Sequence, residues 1–149
     1  MSRTQAATSG VVNAQSVSQT AALTTTSSPT LVSTGVGVTV TSQYTGRYLL
    51  LFQGPFSHSS TDAASLYSIQ RTAAGGAIPT NGSAITGTTV VEGQVVSASG
   101  TVVNTASLIA IDTPGVGTFS YYIAFAAQSA GTVSFSSAAL AGTLIAVEI

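Results

Sequence analysis

Ile109-Ala-Ile-Asp-Thr-Pro-Gly-Val-Gly, Thr118-Phe-Ser-Tyr-Tyr-Ile-Ala-Phe-Ala-Ala-Gln, Gly131-Thr-Val-Ser-Phe-Ser and Gly142-Thr-Leu-Ile-Ala-Val-Glu-Ile are four short apolar segments that run to Ile149. They are rich in β-branched and aromatic residues, and Gly and Pro separate them, which is the pattern of successive antiparallel strands. The last segment carries no polar tail. A strand in that position is expected in the middle of a sheet, where pairing on both sides holds it down.

Working outward, residues 30–41 alternate Val36, Val38 and Val40 with Gly37, Thr39 and Thr41, the period of a half-buried strand. Gly35-Val36-Gly37 reads as a bend or bulge, because a dinucleotide loop needs a third glycine and a following helix. Tyr48-Leu-Leu-Leu-Phe is apolar at every position and is expected to be a central strand buried on two sides. A loop is expected from Gly54 through Asp62. The next strand, from Ala64, places Leu66, Ser68 and Gln70 on one face and Tyr67, Ile69 and Arg71 on the other. Asn81-Gly82 is a hairpin signal in a turn-rich stretch, and segments 87–96 and 100–111 add two more strands. Eight to ten short, evenly spaced strands without a helix predict an all-β antiparallel sandwich or jelly roll.

Residues 1–29 differ from the rest. Small and hydroxylated side chains dominate, aromatics are absent and Arg3 is the only charge, so the segment cannot build a core of its own. Two divisions are therefore expected: an extended low-complexity arm over 1–29 that becomes ordered only when something holds it, and a β-sandwich over 30–149.

Composition narrows the function. Charged residues make up 5% of the chain, at a formal net charge of -1, while Ser and Thr together reach roughly 30%. A surface this poor in charge does little to repel its own copies, so contact with other chains is expected. Nucleic-acid binding is excluded, since it needs clustered Lys and Arg. No apolar stretch is long enough to span a bilayer, and the basic and apolar regions of a signal peptide are missing, so a cytosolic translation product is expected. Without Cys there are no disulfides, thiolate metal sites or Cys nucleophiles.

The order of Thr34-Gly-Val-Gly-Val-Thr-Val-Thr, Gly46-Arg-Tyr-Leu-Leu-Leu-Phe, Leu66-Tyr-Ser-Ile-Gln-Arg, Ile111-Asp-Thr-Pro-Gly, Gly117-Thr-Phe-Ser-Tyr-Tyr-Ile and Leu144-Ile-Ala-Val-Glu-Ile resembles jelly-roll domains of bacteriophage structural proteins. Those domains are similar in fold to the trimeric tumour-necrosis-factor-like and complement-globular-head families. The resemblance covers about residues 30–149. It implies a homotrimer in which Tyr48–Phe52, Phe119–Phe125 and Leu144–Ile149 form the inner sheet, with Tyr48, Leu50, Phe52, Tyr121, Tyr122, Ile123, Leu144, Ile145 and Val147 at the subunit interface. The function it implies is that of a virion protein made in the host cytoplasm: a capsid decoration, cement or head-fibre component fastened to other virion proteins through residues 1–29. The competing reading is a tail-fibre tip that recognises host surface glycans.

Candidate sites are few. His58, the only histidine, lies among Ser57, Ser59, Ser60, Thr61 and Asp62, but neighbouring residues of one loop do not converge on an oxyanion hole as a triad requires. Phe56, His58 and Asp62 are instead expected to offer a loop contact, since loops on a rigid sandwich carry binding. Asp112-Thr-Pro-Gly reads as a turn, and one carboxylate supplies too few oxygens for Ca2+. Asp62, Glu92, Asp112 and Glu148 are too dispersed for paired-carboxylate hydrolysis. The expectation is a protein with no catalytic residue, cofactor or metal. Glu148, in an apolar strand, is expected to reach solvent at the sheet end or to pair with Arg47 or Arg71. Phe119, Tyr121, Ile123 and Phe125 share one strand face and are expected in the core.

Overall fold

The structure is a computed structural model that describes residues 14–19, 23–25, 29–42, 44–60, 63–97, 103–128, 131–135 and 142–149. Among them are ten strands and no helix: β1 (Ala14–Gln19), β2 (Leu23–Thr25), β3 (Val32–Thr41), β4 (Tyr48–His58), β5 (Ala63–Arg71), β6 (Thr88–Ser97), β7 (Asn104–Asp112), β8 (Thr118–Ala127), β9 (Val133–Phe135) and β10 (Gly142–Glu148). They form two antiparallel sheets packed as a β-sandwich.

The larger sheet is organised around β4. One edge of β4 pairs with β7 over its whole described register, from Tyr48↔Asp112 to Phe56↔Asn104. Two strands share the other edge end to end: β10 along Tyr48 to Gln53 and β9 along Phe56 to His58. Beyond these, β1 pairs with β10 and β2 with β9. The terminal strand β10 therefore lies between β1 and β4, in the sheet interior, as its composition led us to expect. β1 and β2 fall within the segment read from composition as an arm; repetitive Ser and Thr carry no alternation that would announce a strand. The smaller sheet runs β3-β8-β5-β6.

The expected loop at Gly54 through Asp62 is strand as far as His58, and Thr61 and Asp62 lie outside the described residues. Gly54-Pro55 looks like a chain break, yet it sits where the neighbour of β4 changes from β10 to β9, a place that tolerates a residue without a backbone N–H. Gly54 is also required by packing. A Cβ there would lie 2.6 Å from Cε2 of Phe135, and one on Gly142 would lie 2.1 Å from its Cζ. Phe135 thus fills space that two glycines vacate, and it joins Phe52, Phe56 and Phe125 at ring-centroid distances of 5.0–6.4 Å.

The core between the sheets takes alternate residues from each strand: Tyr48, Leu50, Phe52, Leu108 and Leu144 from the larger sheet, and Val36, Val38, Val40, Tyr67, Ile69, Tyr121, Ile123 and Phe125 from the smaller. The expected face of β8 is the core face; Phe119 is also buried, under the Arg71 guanidinium at 5.8 Å. The bend at Gly35 is a bulge. The β3–β8 register shifts between Ser33 and Gly37, Gly35 has φ 74°, and Thr34 Oγ1 accepts from Val36 N–H while donating to the Ile123 carbonyl.

Candidate functional site

Each sheet has an outer face, and the two are finished differently. On the smaller sheet the residues between β5 and β6, 72–87, form a strap. Gly75 N–H donates to the Thr118 carbonyl and the Ser120 hydroxyl to the Gly76 carbonyl, both at 2.9 Å. Ser33 binds the strap on both sides, donating its N–H to the Ser83 carbonyl and accepting from Gly82 N–H, each at 2.9 Å. Under the strap Tyr122 is 0% exposed, and its phenolic oxygen accepts from Thr86 N–H at 3.1 Å. A Cβ on Gly37 would lie 2.8 Å from the Tyr122 Cβ and 2.9 Å from Ile78 Cδ1, so strap and sheet are in tight contact.

On the larger sheet the outer side chains lie in rows fixed by strand register. Ile109, Leu51 and Ile145 make one row across β7, β4 and β10; Ile111, Leu49 and Val147 make the next. Ile109 is 71% and Ile111 53% exposed, and the other four are half-buried. A groove of about 460 Å³ opens beside the first row, lined by Leu51, Ile109 and Ile145 with Gln53, Ser107 and Thr143. Tyr44, Val116 and Ile149 are exposed at the same end of the sheet, where Gly115 N–H donates to the Gly46 carbonyl and Ile149 N–H to the Arg47 carbonyl. The two rows are an apolar strip on a face that also carries Gln53, Ser107, Thr143 and the exposed Arg47, and an exposed apolar strip is the kind of feature that marks an interaction site.

The residues expected at an interface divide accordingly. Tyr48, Leu50, Phe52, Tyr121, Ile123 and Leu144 are in the core of the single chain, Tyr122 is under the strap, and Ile145 and Val147 reach the outer face. β8 is also in the other sheet, not beside β4 and β10 as the resemblance implied. Its apolar outer side serves the strap. The outward residues Leu49, Leu51, Ile109 and Ile111 were not singled out from sequence, although alternation from the core residues Leu50 and Leu108 identifies them.

The loop contact is corrected as well. Phe56 is 1% and His58 2% exposed, so neither offers a surface, and Asp62 lies outside the described residues. The His58 Nδ1 accepts from Ser60 N–H at 3.1 Å, its Nε2 has no hydrogen-bond partner among the described residues, and Gly131 lies against the ring.

Arg71, Asp112 and Glu148 have structural partners. Arg71 pairs with Asp112, not with Glu148: its Nη1 lies 2.8 and 2.6 Å from the two carboxylate oxygens, to one of which Tyr121 donates at 2.9 Å. This cluster joins β7 to β5 and β8 and so ties the two sheets together. Burial first, and then the Asp112 charge, raise Tyr121 far above the ordinary phenol range. Glu148 Oε1 accepts from the Ser42 hydroxyl and from the N–H groups of Tyr44, Thr45 and Gly46 at 2.7–3.2 Å, which fastens the turn between β3 and β4 to β10. The Tyr48 hydroxyl is buried nearby, and desolvation and then Glu148 raise its pKa.

No family model and no curated protein matches the chain. Solved structures of infectious bursal disease virus are similar in fold. VP2 in its subviral particle aligns over 93% of this chain and 33% of that chain, at 14% identity and a TM-score of 0.48. A chain of the Gx strain aligns over 91% and 32% at 12% identity and 0.47, and one of the Gt strain over 90% and 32% at 14% identity and 0.44. The chain thus spans about a third of the length of each.

Proposed function

We propose that this chain is a non-enzymatic structural subunit of a virus particle: a jelly roll that associates as a homotrimer through the outer face of its larger sheet. The observation that carries the reading is the pair of apolar rows, Ile109-Leu51-Ile145 and Ile111-Leu49-Val147, with Ile109 and Ile111 exposed, on a sheet whose opposite number is covered by the chain's own strap. An obligate interface resembles a core cut in half, and these two rows have that composition. The strand orders β1-β10-β4-β7 and β3-β8-β5-β6 support the jelly-roll assignment, since the chain passes between the sheets at β3 to β4, β4 to β5, β6 to β7 and β7 to β8, with β5 and β6 paired in one sheet, as in two interlocked Greek keys. A structural role is favoured by the use of Arg71, Asp112, Tyr121 and Glu148 to hold sheets and turns together.

The phage assignment rests on the resemblance of the strand motifs, and so does the choice of three copies. In this reading residues 1–29, whose β1 and β2 pair within the larger sheet, attach the trimer to the particle as a decoration, cement or head-fibre component. Burial of Phe56 and His58 leaves the glycan-binding alternative without those two side chains as contacts. Light scattering tests the central claim. The purified protein is expected at three times its 14.7 kDa chain mass or at a multiple of that, and Leu49→Glu with Ile111→Glu is expected to abolish the three-fold association. A monodisperse monomer of the unaltered chain would overturn the reading.

A further inference from the structure

We infer that β7 is a second self-association element, pairing edge to edge with the β7 of another copy about a two-fold axis. Sheet edges are templates for strand addition, and native proteins blunt them with bulges, prolines, lysines or charges. The smaller sheet follows that practice. Its edge strand β3 carries the bulge between Ser33 and Gly37, and its other edge, β6, shifts register opposite Ile69 and Gln70 and presents Glu92. β7 differs from both. Among the described strands it pairs with β4 alone, over nine residues without a register break; Asn104-Thr-Ala-Ser-Leu-Ile-Ala-Ile-Asp contains no Pro, Gly or Lys, and its one charge, Asp112, is paired with Arg71.

Its sequence is complementary to itself in one antiparallel register. With Leu108 opposite Leu108 of the second copy, Ala106 faces Ala110 and Asn104 faces Asp112, so the inward positions meet apolar with apolar and amide with carboxylate. The Asp112 carboxylate has about four acceptor sites, of which Arg71 and Tyr121 use three. The outward positions place Ser107 beside Ile109 and Thr105 beside Ile111. Shifting the register by two residues in either direction sets Asn104 or Asp112 against an alanine and loses the polar match. The occupant of this edge is therefore a second copy of the chain. Two copies joined in this way share one continuous larger sheet.

The chain has no cysteine, which makes the test clean. Directly opposed residues have Cα atoms about 4.5–5.5 Å apart, within disulfide range, whereas diagonal neighbours stand about 7–8 Å apart. Ser107→Cys and Ile109→Cys are both at exposed positions and leave the core untouched. Co-expressed and oxidised, the two variants are expected to give a covalent dimer several-fold more abundant than either gives alone, or than Thr105→Cys gives with Ile109→Cys. Equal yields from matched and mismatched pairs, or no cross-link, would overturn the inference. The result is separable from the trimer, because the mass is read on the unaltered chain and the cross-link on the variants: three chain masses without the cross-link remove only the edge pairing, and a cross-link beside a mass that is no multiple of three removes only the trimer.

Discussion

The smaller sheet is sealed by its own chain and the larger one is not sealed by any described residue, although both carry apolar residues outward. The strap provides hydrogen-bond partners for Ser33, Ser120 and Tyr122 and lays Ile78 on the sheet, so that face is completed during folding of a single chain. The face bearing Ile109 and Ile111 has no comparable segment among the described residues. Residues apolar on both sides of a strand thus have two uses in one molecule. On β8 they stabilise the monomer, and on β4, β7 and β10 they are available for association.

The sharpest way to break this contrast is to truncate a side chain under the strap. Tyr122→Ala removes a fully buried ring and its bond from Thr86, and it is expected to lower the unfolding free energy by about 3–5 kcal/mol in denaturant titration; a loss below about 1 kcal/mol would show that the strap does not seal the face. A middle-sized effect is expected where the sheets are joined. Tyr121→Phe deletes a hydroxyl that donates to a carboxylate, at a cost of about 1.5–3 kcal/mol. It also changes the response to alkali. Because the folded chain holds the Tyr121 proton more tightly than the unfolded chain, the stability from that group is complete below the ordinary tyrosine value of 10.0 and is lost as pH rises beyond it. Unfolding followed against pH should fall more steeply above this value in the unaltered protein than in Tyr121→Phe; parallel curves would contradict the assignment. The smallest effect is expected on the bare face. Ile111→Ser should change the stability of the dissociated chain by no more than about 0.5 kcal/mol while weakening self-association in sedimentation.

Much of the fold was legible because alternation is a strong signal where one face is buried and the other wet. Val36, Val38 and Val40 announced β3, and the terminal segment announced an interior strand. Legibility failed where both faces of a strand are apolar. Tyr121, Tyr122 and Ile123 look equally suited to a core or an interface, and only the strap, which has no apolar period of its own, decides the outcome. Proline misled for a related reason: Pro55 stops a strand in general, but not at a junction between two neighbours. The Arg71–Asp112 contact was beyond reach, since nothing local relates residues that far apart in the chain.

The shared edge of β4 has a consequence for how the protein is made. Every described strand that pairs with β4 comes later in the chain, and β10, at Gly142–Glu148, comes last. At roughly 5–20 residues per second, β4 waits on the order of ten seconds after its own synthesis before its ladder can close. Through that interval its Leu and Phe residues lack their final partners, so the yield of folded protein should depend on what shelters the nascent chain as well as on the stability of the finished sandwich.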